Sequence, residues 1–188
     1  MKVYLDNAAT TKVDEQVAKT VQQYSTKEFG NPGSIHTLGQ NAKNALETAR
    51  ASIAKKINAE PSEIIFTSGG TESNNMAIKG IAYSVMQSTG KKGRIITSRF
   101  EHLAVLNCCK QLEKEGFKVS YVGVDKDGFV KIDDLKKAIQ PDTILVTNNA
   151  RQQRDRHDTK YCGNWKNLRC KKHTLSSGCC AVICKSAN

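Results

Sequence analysis

No apolar run in the 188-residue sequence reaches the roughly 20 residues that a membrane-spanning helix needs. The N-terminal Met1-Lys2-Val3-Tyr4-Leu5-Asp6 lacks the apolar h-region of a secretory signal, and Asp6 and Asp14 argue against an organellar transit peptide. The expectation is a soluble, cytoplasmic protein without a membrane partner. Neither the dinucleotide fingerprint nor the Walker loop is present. Paired CxxC units are also missing, so the cysteines do not carry zinc-site spacing, and a disulfide framework suits a cytoplasmic chain poorly. No metal site is assigned.

The formal net charge is +11, which ordinarily points to an acidic partner such as nucleic acid. The distribution argues otherwise. Residues 151–188 hold nine Lys and Arg against two Asp, whereas residues 1–150 hold twenty Lys and Arg against sixteen Asp and Glu. The cysteines divide the same way. Cys108 and Cys109 lie in the body; Cys162, Cys170, Cys179, Cys180 and Cys184 lie in the tail. In that tail only Tyr161 and Trp165 offer rings for base stacking, so no nucleic-acid partner is expected. The composition breaks near residue 148, which divides the chain into a body, 1–147, and a basic, Cys-rich tail, 148–188, expected to be disordered.

Along the body, amphipathic helices alternate with short apolar runs. Asp14 is placed to cap a helix with Val17, Val21 and Tyr24 on one face. Phe29-Gly30-Asn31-Pro32-Gly33-Ser34 reads as a loop, and a long helix follows from His36 to about Lys56. Strands are expected at Glu63–Phe66, Arg94–Thr97, Lys118–Val122 and Thr143–Val146. Helices are expected after Gly70, from Glu101-His102, and over Ile132–Ile139. Asp125-Lys126-Asp127-Gly128 reads as a turn. Strands alternating with helices imply βαβ units: an α/β fold with a mainly parallel sheet flanked by helices. In such sheets ligands bind beyond the carboxyl ends of the strands.

The stretch Ile64-Ile65-Phe66-Thr67-Ser68-Gly69-Gly70-Thr71-Glu72-Ser73-Asn74-Asn75 organises the chain. An apolar run, a hydroxyl-rich glycine turn and a helix follow one another. A helix start offers unpartnered backbone N–H groups and the positive end of the dipole. Gly69 and Gly70 allow close approach, and Thr67, Ser68 and Thr71 add hydroxyl donors. Such a turn holds an anion, most often a phosphate. It also fits an ordinary capped surface turn, with Ser68 or Thr71 as N-cap and Glu72 in the first turn. His102 follows a strand in the equivalent position, on the same rim.

Four motifs in order now carry a resemblance: Tyr4-Leu5-Asp6-Asn7-Ala8-Ala9-Thr10-Thr11, Phe29-Gly30-Asn31-Pro32-Gly33-Ser34-Ile35-His36, Ile65-Phe66-Thr67-Ser68-Gly69-Gly70-Thr71-Glu72-Ser73-Asn74, and Glu101-His102-Leu103-Ala104-Val105-Leu106. Asp142-Thr143-Ile144-Leu145-Val146 follows them. Over residues 1 to about 147 the chain resembles a cysteine desulfurase of the pyridoxal-phosphate fold-type-I superfamily. That length is well under half of such an enzyme, so the resemblance implies an incomplete large domain. It implies pyridoxal 5'-phosphate as cofactor, with Gly70 and Thr71 on its phosphate and His102 stacked on its ring and moving protons. It implies Asn31 and His36 on the substrate side. It further implies L-cysteine as substrate, a sulfur-acceptor scaffold protein for iron–sulfur assembly, and a homodimer in the intact enzyme. A selenocysteine lyase-like relative, and a non-catalytic fragment that pairs with a full-length paralogue, stay open beside it.

The chemistry needs a lysine to hold the cofactor's aldehyde, a carboxylate on its ring nitrogen, and a mobile thiolate to take the sulfur. The family's Ser-Gly-His-Lys stretch is missing from this sequence, and no lysine is assigned. Cys108 and Cys109, on a helix, read as packing residues.

The tail does not resemble the family as written, but its shifted reading frame does. One base later, codons for Asn149 through Arg154 permit Met-His-Ala-Asn-Asn-Glu, and those for Asp155 through Thr159 permit Ile-Gly-Thr-Ile-Gln. Trp165 with Lys166 forces glycine, and Leu175 through Ala181 permit Phe-His-Gln-Asp-Ala-Val-Gln. These are the family's next motifs, with its ring-nitrogen aspartate under Gly178 and its cofactor-contacting glutamine under Ala181. Asn148 and Asn149 then only mimic the family's Asn-Asn pair, which lies under Gln152 and Gln153. The tail reads as a frameshifted translation starting near Asn148, and the chain as truncated and inactive on its own.

Overall fold

The computed structural model describes residues 3–7, 9–126 and 130–148, with the backbone of 149 and of 180–184. The chain divides into two compact units, Met1–Phe66 and Thr67–Asn188.

The first unit is helical. Helix α1 (Glu15–Thr26) starts at Asp14, whose carboxylate accepts from Gln16 N at 2.8 Å and Val17 N at 3.4 Å. Those two bonds satisfy donors that every helix start leaves open. Val17, Val21 and Tyr24 share a face as expected, but that face is exposed, and α1 buries no residue. Helix α2 (Thr37–Ile57) starts at His36 and stops at Asn58, which turns the chain through the left-handed region at φ 54°. A 3₁₀ turn, Pro61–Glu63, follows, closed by a reciprocal Glu60–Glu63 capping box.

The strand expected at Glu63–Phe66 does not form. Glu63 belongs to the 3₁₀ turn, and Ile64–Phe66 run extended without a ladder. A strand requires a neighbour to pair its N–H and C=O groups, and none of the described residues supplies one. Arg50 substitutes for it: its guanidinium donates to the Ile64 carbonyl and lies 5.0 Å from the centre of the Phe66 ring. Ile65 remains 64% exposed.

The second unit is the α/β fold. Strands β1 (Arg94–Ser98), β2 (Lys118–Val122), β3 (Thr143–Asn149) and β4 (Cys180–Cys184) form one sheet in the order β2-β1-β3-β4. β1 pairs in parallel with β2 and β3, while β4 pairs antiparallel with β3. The sheet is mainly parallel, as expected. Of the tail expected to be disordered, Asn148 and Asn149 finish β3 and Cys180–Cys184 form β4; the rest lies outside the described residues, as do Asp127 and Gly128 of the expected turn.

Helices cover both faces of the sheet. Period-2 alternation sends Ile95 and Leu145 to one face and Ile96 and Val146 to the other. On the first face, α3 (Gly70–Thr89) brings Ile78 and Ala82, and α4 (Leu103–Lys114) brings Val105, Cys108, Cys109 and Leu112. On the second, the short α5 (Ile132–Ala138) brings Leu135 against Ile96, Val122 and Val146. Full burial of such side chains is worth about 1.5–3 kcal/mol each, which makes this unit the stable centre of the described chain. Gly90 ends α3 at φ 68°, a conformation that glycine adopts without Cβ strain.

Candidate functional site

Helix α3 begins without a side-chain cap, because its N-cap residue is Gly69. Ser73 N is the first amide to find its place in the ladder, donating to Gly69 O at 3.1 Å. The amides of Gly70, Thr71 and Glu72 precede it, so helix geometry gives them no intrahelical acceptor. A Cβ built on Gly69 or Gly70 would meet nothing within 4 Å, and Thr71 is exposed. The backbone there is open to an incoming group.

The turn leading into the helix is clasped from the side. Thr67 Oγ1 and Ser73 Oγ are 2.6 Å apart. Glu72 Oε2 accepts from Ser68 N and from Ser68 Oγ, both at 2.6 Å. The Ser68 hydroxyl, and then its amide, hold the Glu72 carboxyl below its ordinary pKa. Sequence reasoning missed this clasp; the four-residue spacing of Ser68 and Glu72 was its only trace. Neither Ser68 nor Thr71 is the N-cap that the ordinary-turn reading supposed.

His102 caps α4, with Nδ1 accepting from Ala104 N at 3.1 Å and the imidazole exposed. α4 connects two parallel strands, so it runs antiparallel to them and starts at their carboxyl ends. α3, packed on the same face and leading into the start of β1, runs alongside it. The later part of α3 is tied to the end of α4: Tyr83 donates to Glu115 Oε2 at 2.8 Å, and its ring meets Phe117 edge-on at 6.2 Å. Thr71 stands as many residues before Tyr83 as Leu103 stands before Glu115. At a common rise of about 1.5 Å per residue, both helix starts reach the same rim of the sheet. The open amides of α3 and the His102 imidazole therefore share that rim.

Asn31 and His36 lie in the first unit and are both exposed. Asn31 Oδ1 accepts from Gly33 N at 2.8 Å, its carbonyl accepts from Ser34 N at 2.9 Å, and His36 Nδ1 accepts from Gly39 N at 3.3 Å. Both side chains shape the loop that enters α2.

Cys108 and Cys109 are buried, 3% and 0% exposed, as packing residues are. Burial pushes both thiols up, that of Cys109 to about 12. Among the described residues no three His, Cys, Asp or Glu side chains converge as a metal site would require, and no helix is long and apolar enough to cross a membrane. The cysteines and His173 of the tail lie outside the described side chains.

Residues 3–152 match the family Aminotransferase class-V. The chain belongs to that family. This class-V member is 53% identical over 146 residues to the cysteine desulfurase IscS of Dictyoglomus turgidum, an alignment covering 78% of this chain and 36% of that one. It is 50% identical over 145 residues to IscS of Methanosarcina thermophila, covering 77% and 35%. Among solved structures it superposes on a NifS-like protein with a TM-score of 0.76 at 42% identity, covering 81% of this chain and 41% of that one. It superposes on SspA in complex with cysteine with a TM-score of 0.73 at 39% identity, covering 80% and 42%. The chain thus spans little more than a third of the length of the curated relatives it matches, and its fold is part of a larger fold-type-I domain.

Proposed function

We propose that this chain carries the cofactor-phosphate end of a pyridoxal-phosphate-dependent cysteine desulfurase, and that the 188 residues alone do not complete the enzyme. The observation that carries this reading is the uncapped start of α3 on the same rim as His102. Three open amides, two glycines with clear space before them and the Thr71 hydroxyl make a donor set suited to a phosphate dianion. The residues present fit that part of pyridoxal 5'-phosphate. When bound, the cofactor supplies an electron sink for bond cleavage at the substrate's α-carbon and beyond. Gly70 and Thr71 would hold and orient it, and His102 would lie against its ring and hold or move a proton at Nε2. In the complete enzyme the reaction would take L-cysteine to L-alanine and pass sulfur to an acceptor scaffold protein for iron–sulfur assembly. We assign that enzyme to the cytoplasm, as a homodimer.

Two measurements test this. Pyridoxine 5'-phosphate should bind the purified chain and pyridoxine should not, by isothermal titration; equal affinity would remove the phosphate reading. The purified chain with pyridoxal phosphate and L-cysteine should release no sulfide; sustained release would show that it needs no further residues. Turnover of selenocysteine alone by a completed enzyme would favour the lyase relative.

The tail is part of the same proposal. The codons of its shifted frame permit the family's aspartate and glutamine in order, which supports a displaced reading frame from near Asn148. Independent nucleotide reads through codons 146–150 test it; an uninterrupted frame with a matching transcript would remove it.

A second reading rests on a different observation. Val17 and Val21 on α1 are 53% and 59% exposed, and Ile65 and Phe66 are 64% and 45% exposed, apolar side chains that a longer relative could cover. Co-purification with a full-length paralogue would favour it.

A further inference from the structure

The imidazole of His102 has two nitrogens, and the fold commits one of them. As N-cap of α4, His102 places Nδ1 3.1 Å from the amide of Ala104. An amide only donates, so Nδ1 must accept, and an accepting ring nitrogen carries no proton. In the neutral ring the proton then sits on Nε2. Ala104 is itself held: it is buried at 9% exposure, and Val105 beside it is fully buried in the core between α4 and the sheet. The donor is thus fixed by packing, and the exposed ring is the movable partner.

We propose that the Ala104 amide is a positioning group that locks His102 as the Nε2–H tautomer, so that the ring meets a ligand on the rim with a hydrogen-bond donor and not with a lone pair. The consequence for a bound ligand follows from donor and acceptor roles alone. Nε2–H can donate to an oxygen, a ring face or a thiolate. It can take up a proton only at Nδ1, and that breaks the cap on α4. The placement of Nε2–H against a cofactor rests on the proposed function; the tautomer does not, and the experiment separates the two.

The full chain is labelled with ¹⁵N-histidine, and two-bond proton–nitrogen correlations are recorded without cofactor, at a pH where imidazole is neutral. His102→Gln assigns the signal, and His36 serves as internal control. The expected His102 pattern is that of a pure Nε2–H ring, with Nδ1 at its unprotonated, accepting extreme. Ala104→Pro removes the donor at a first-turn position, where proline is tolerated. It should move both His102 nitrogens toward the averaged shifts of free imidazole and leave His36 unchanged. Should that variant fail to fold, exchange of the Ala104 amide is the second measurement. His102→Ala should speed it roughly fivefold and His102→Asn, which keeps a cap, should restore it. A wild-type His102 that is Nδ1–H or already averaged overturns the proposal. So does an unchanged pattern in folded Ala104→Pro, or an Ala104 amide indifferent to both substitutions. Titration with pyridoxine 5'-phosphate is then run separately: absence of binding would count against the cofactor reading and leave the tautomer standing.

Discussion

Arg94 Nε donates to Asp142 Oδ1 at 3.0 Å, joining the first residue of β1 to the residue before β3. Lys118, the first residue of β2, reaches the other oxygen, Oδ2, at 2.8 Å. One carboxylate therefore ties together the starts of three parallel strands, at the end of the sheet away from the helix-start rim. The lysine, and then the arginine, hold the Asp142 carboxyl below its ordinary pKa. The folded group thus binds its proton only at lower pH than the unfolded group, whose value is near 3.9. The stabilisation is complete above that value and is lost as pH falls through the folded one. Because Asp142 is about a third exposed, solvent screens the pair. Asp142→Asn should cost about 0.5–1 kcal/mol at neutral pH and low salt, less at high salt, and progressively less as pH falls below the unfolded value and through the lower folded one. Urea unfolding at several pH values checks this; a cost independent of pH would assign the effect to packing.

Two threonines sit in the interior without a hydroxyl partner. Thr97 in β1 and Thr147 in β3 are each 1% exposed, and neither Oγ1 has a hydrogen-bond partner among the described residues. Alternation places them on the face of Ile95 and Leu145, one step nearer the helix-start rim. A buried hydroxyl left unpaired carries a desolvation cost of about 1–3 kcal/mol. Thr97→Val and Thr147→Val keep the branched shape and remove the oxygen. Each should be neutral or should stabilise the fold by up to about 1 kcal/mol. Chemical unfolding with an unchanged m-value would show it. A loss of more than about 1 kcal/mol would mean that the hydroxyl makes a bond in solution.

How far the sequence reveals this molecule depends on whether the signal is local. Asp14 as a cap, the Arg94, Lys118 and Thr143 strands and the helix from His102 all rest on neighbours within a few residues, and all are present. The helix after Gly70 runs to Thr89, where Gly90 in the left-handed region stops it. Ile64–Phe66 was legible as apolar but not as unpaired, since pairing is decided by strands elsewhere in the chain. The Arg94–Asp142–Lys118 tie joins residues far apart in sequence, and nothing local marks it. At the candidate site the glycine- and hydroxyl-rich turn and His102 were visible as residue types. That Glu72 grips Ser68, and that Ala104 fixes the ring of His102, required coordinates.

The adjacent cysteines yield a prediction about reactivity. Thiolate is the reacting species, and burial first of all suppresses it at both Cys108 and Cys109. With Cys109 at about 12, its thiolate fraction at pH 8 falls more than a hundredfold below that of a free cysteine. Alkylation of the native chain with iodoacetamide, followed by peptide mapping, should leave both residues unmodified while denatured protein labels fully. Rapid native labelling of either would show that α4 leaves the sheet.

The last prediction sets two glycines against each other. Gly39 is packed: a Cβ there would lie 2.5 Å from Ser34 O and 2.8 Å from Asn31 O, both backbone atoms that cannot swing aside. Gly39→Ala should therefore cost about 1–3 kcal/mol and disturb the loop that holds Asn31 and His36. Gly70 is open, with nothing within 4 Å of its added Cβ, and it stands at the first position of α3. Gly70→Ala should leave folding unchanged or improve it by up to about 1 kcal/mol, since alanine restricts the unfolded chain. On the proposed function the same methyl group crowds the approach of the phosphate, and affinity for pyridoxine 5'-phosphate should fall about tenfold, or 1.4 kcal/mol. Urea unfolding and titration calorimetry on the two variants read these effects separately. A folded Gly70→Ala protein with undiminished phosphate affinity would place the anion elsewhere, and the start of α3 would revert to an ordinary exposed helix end.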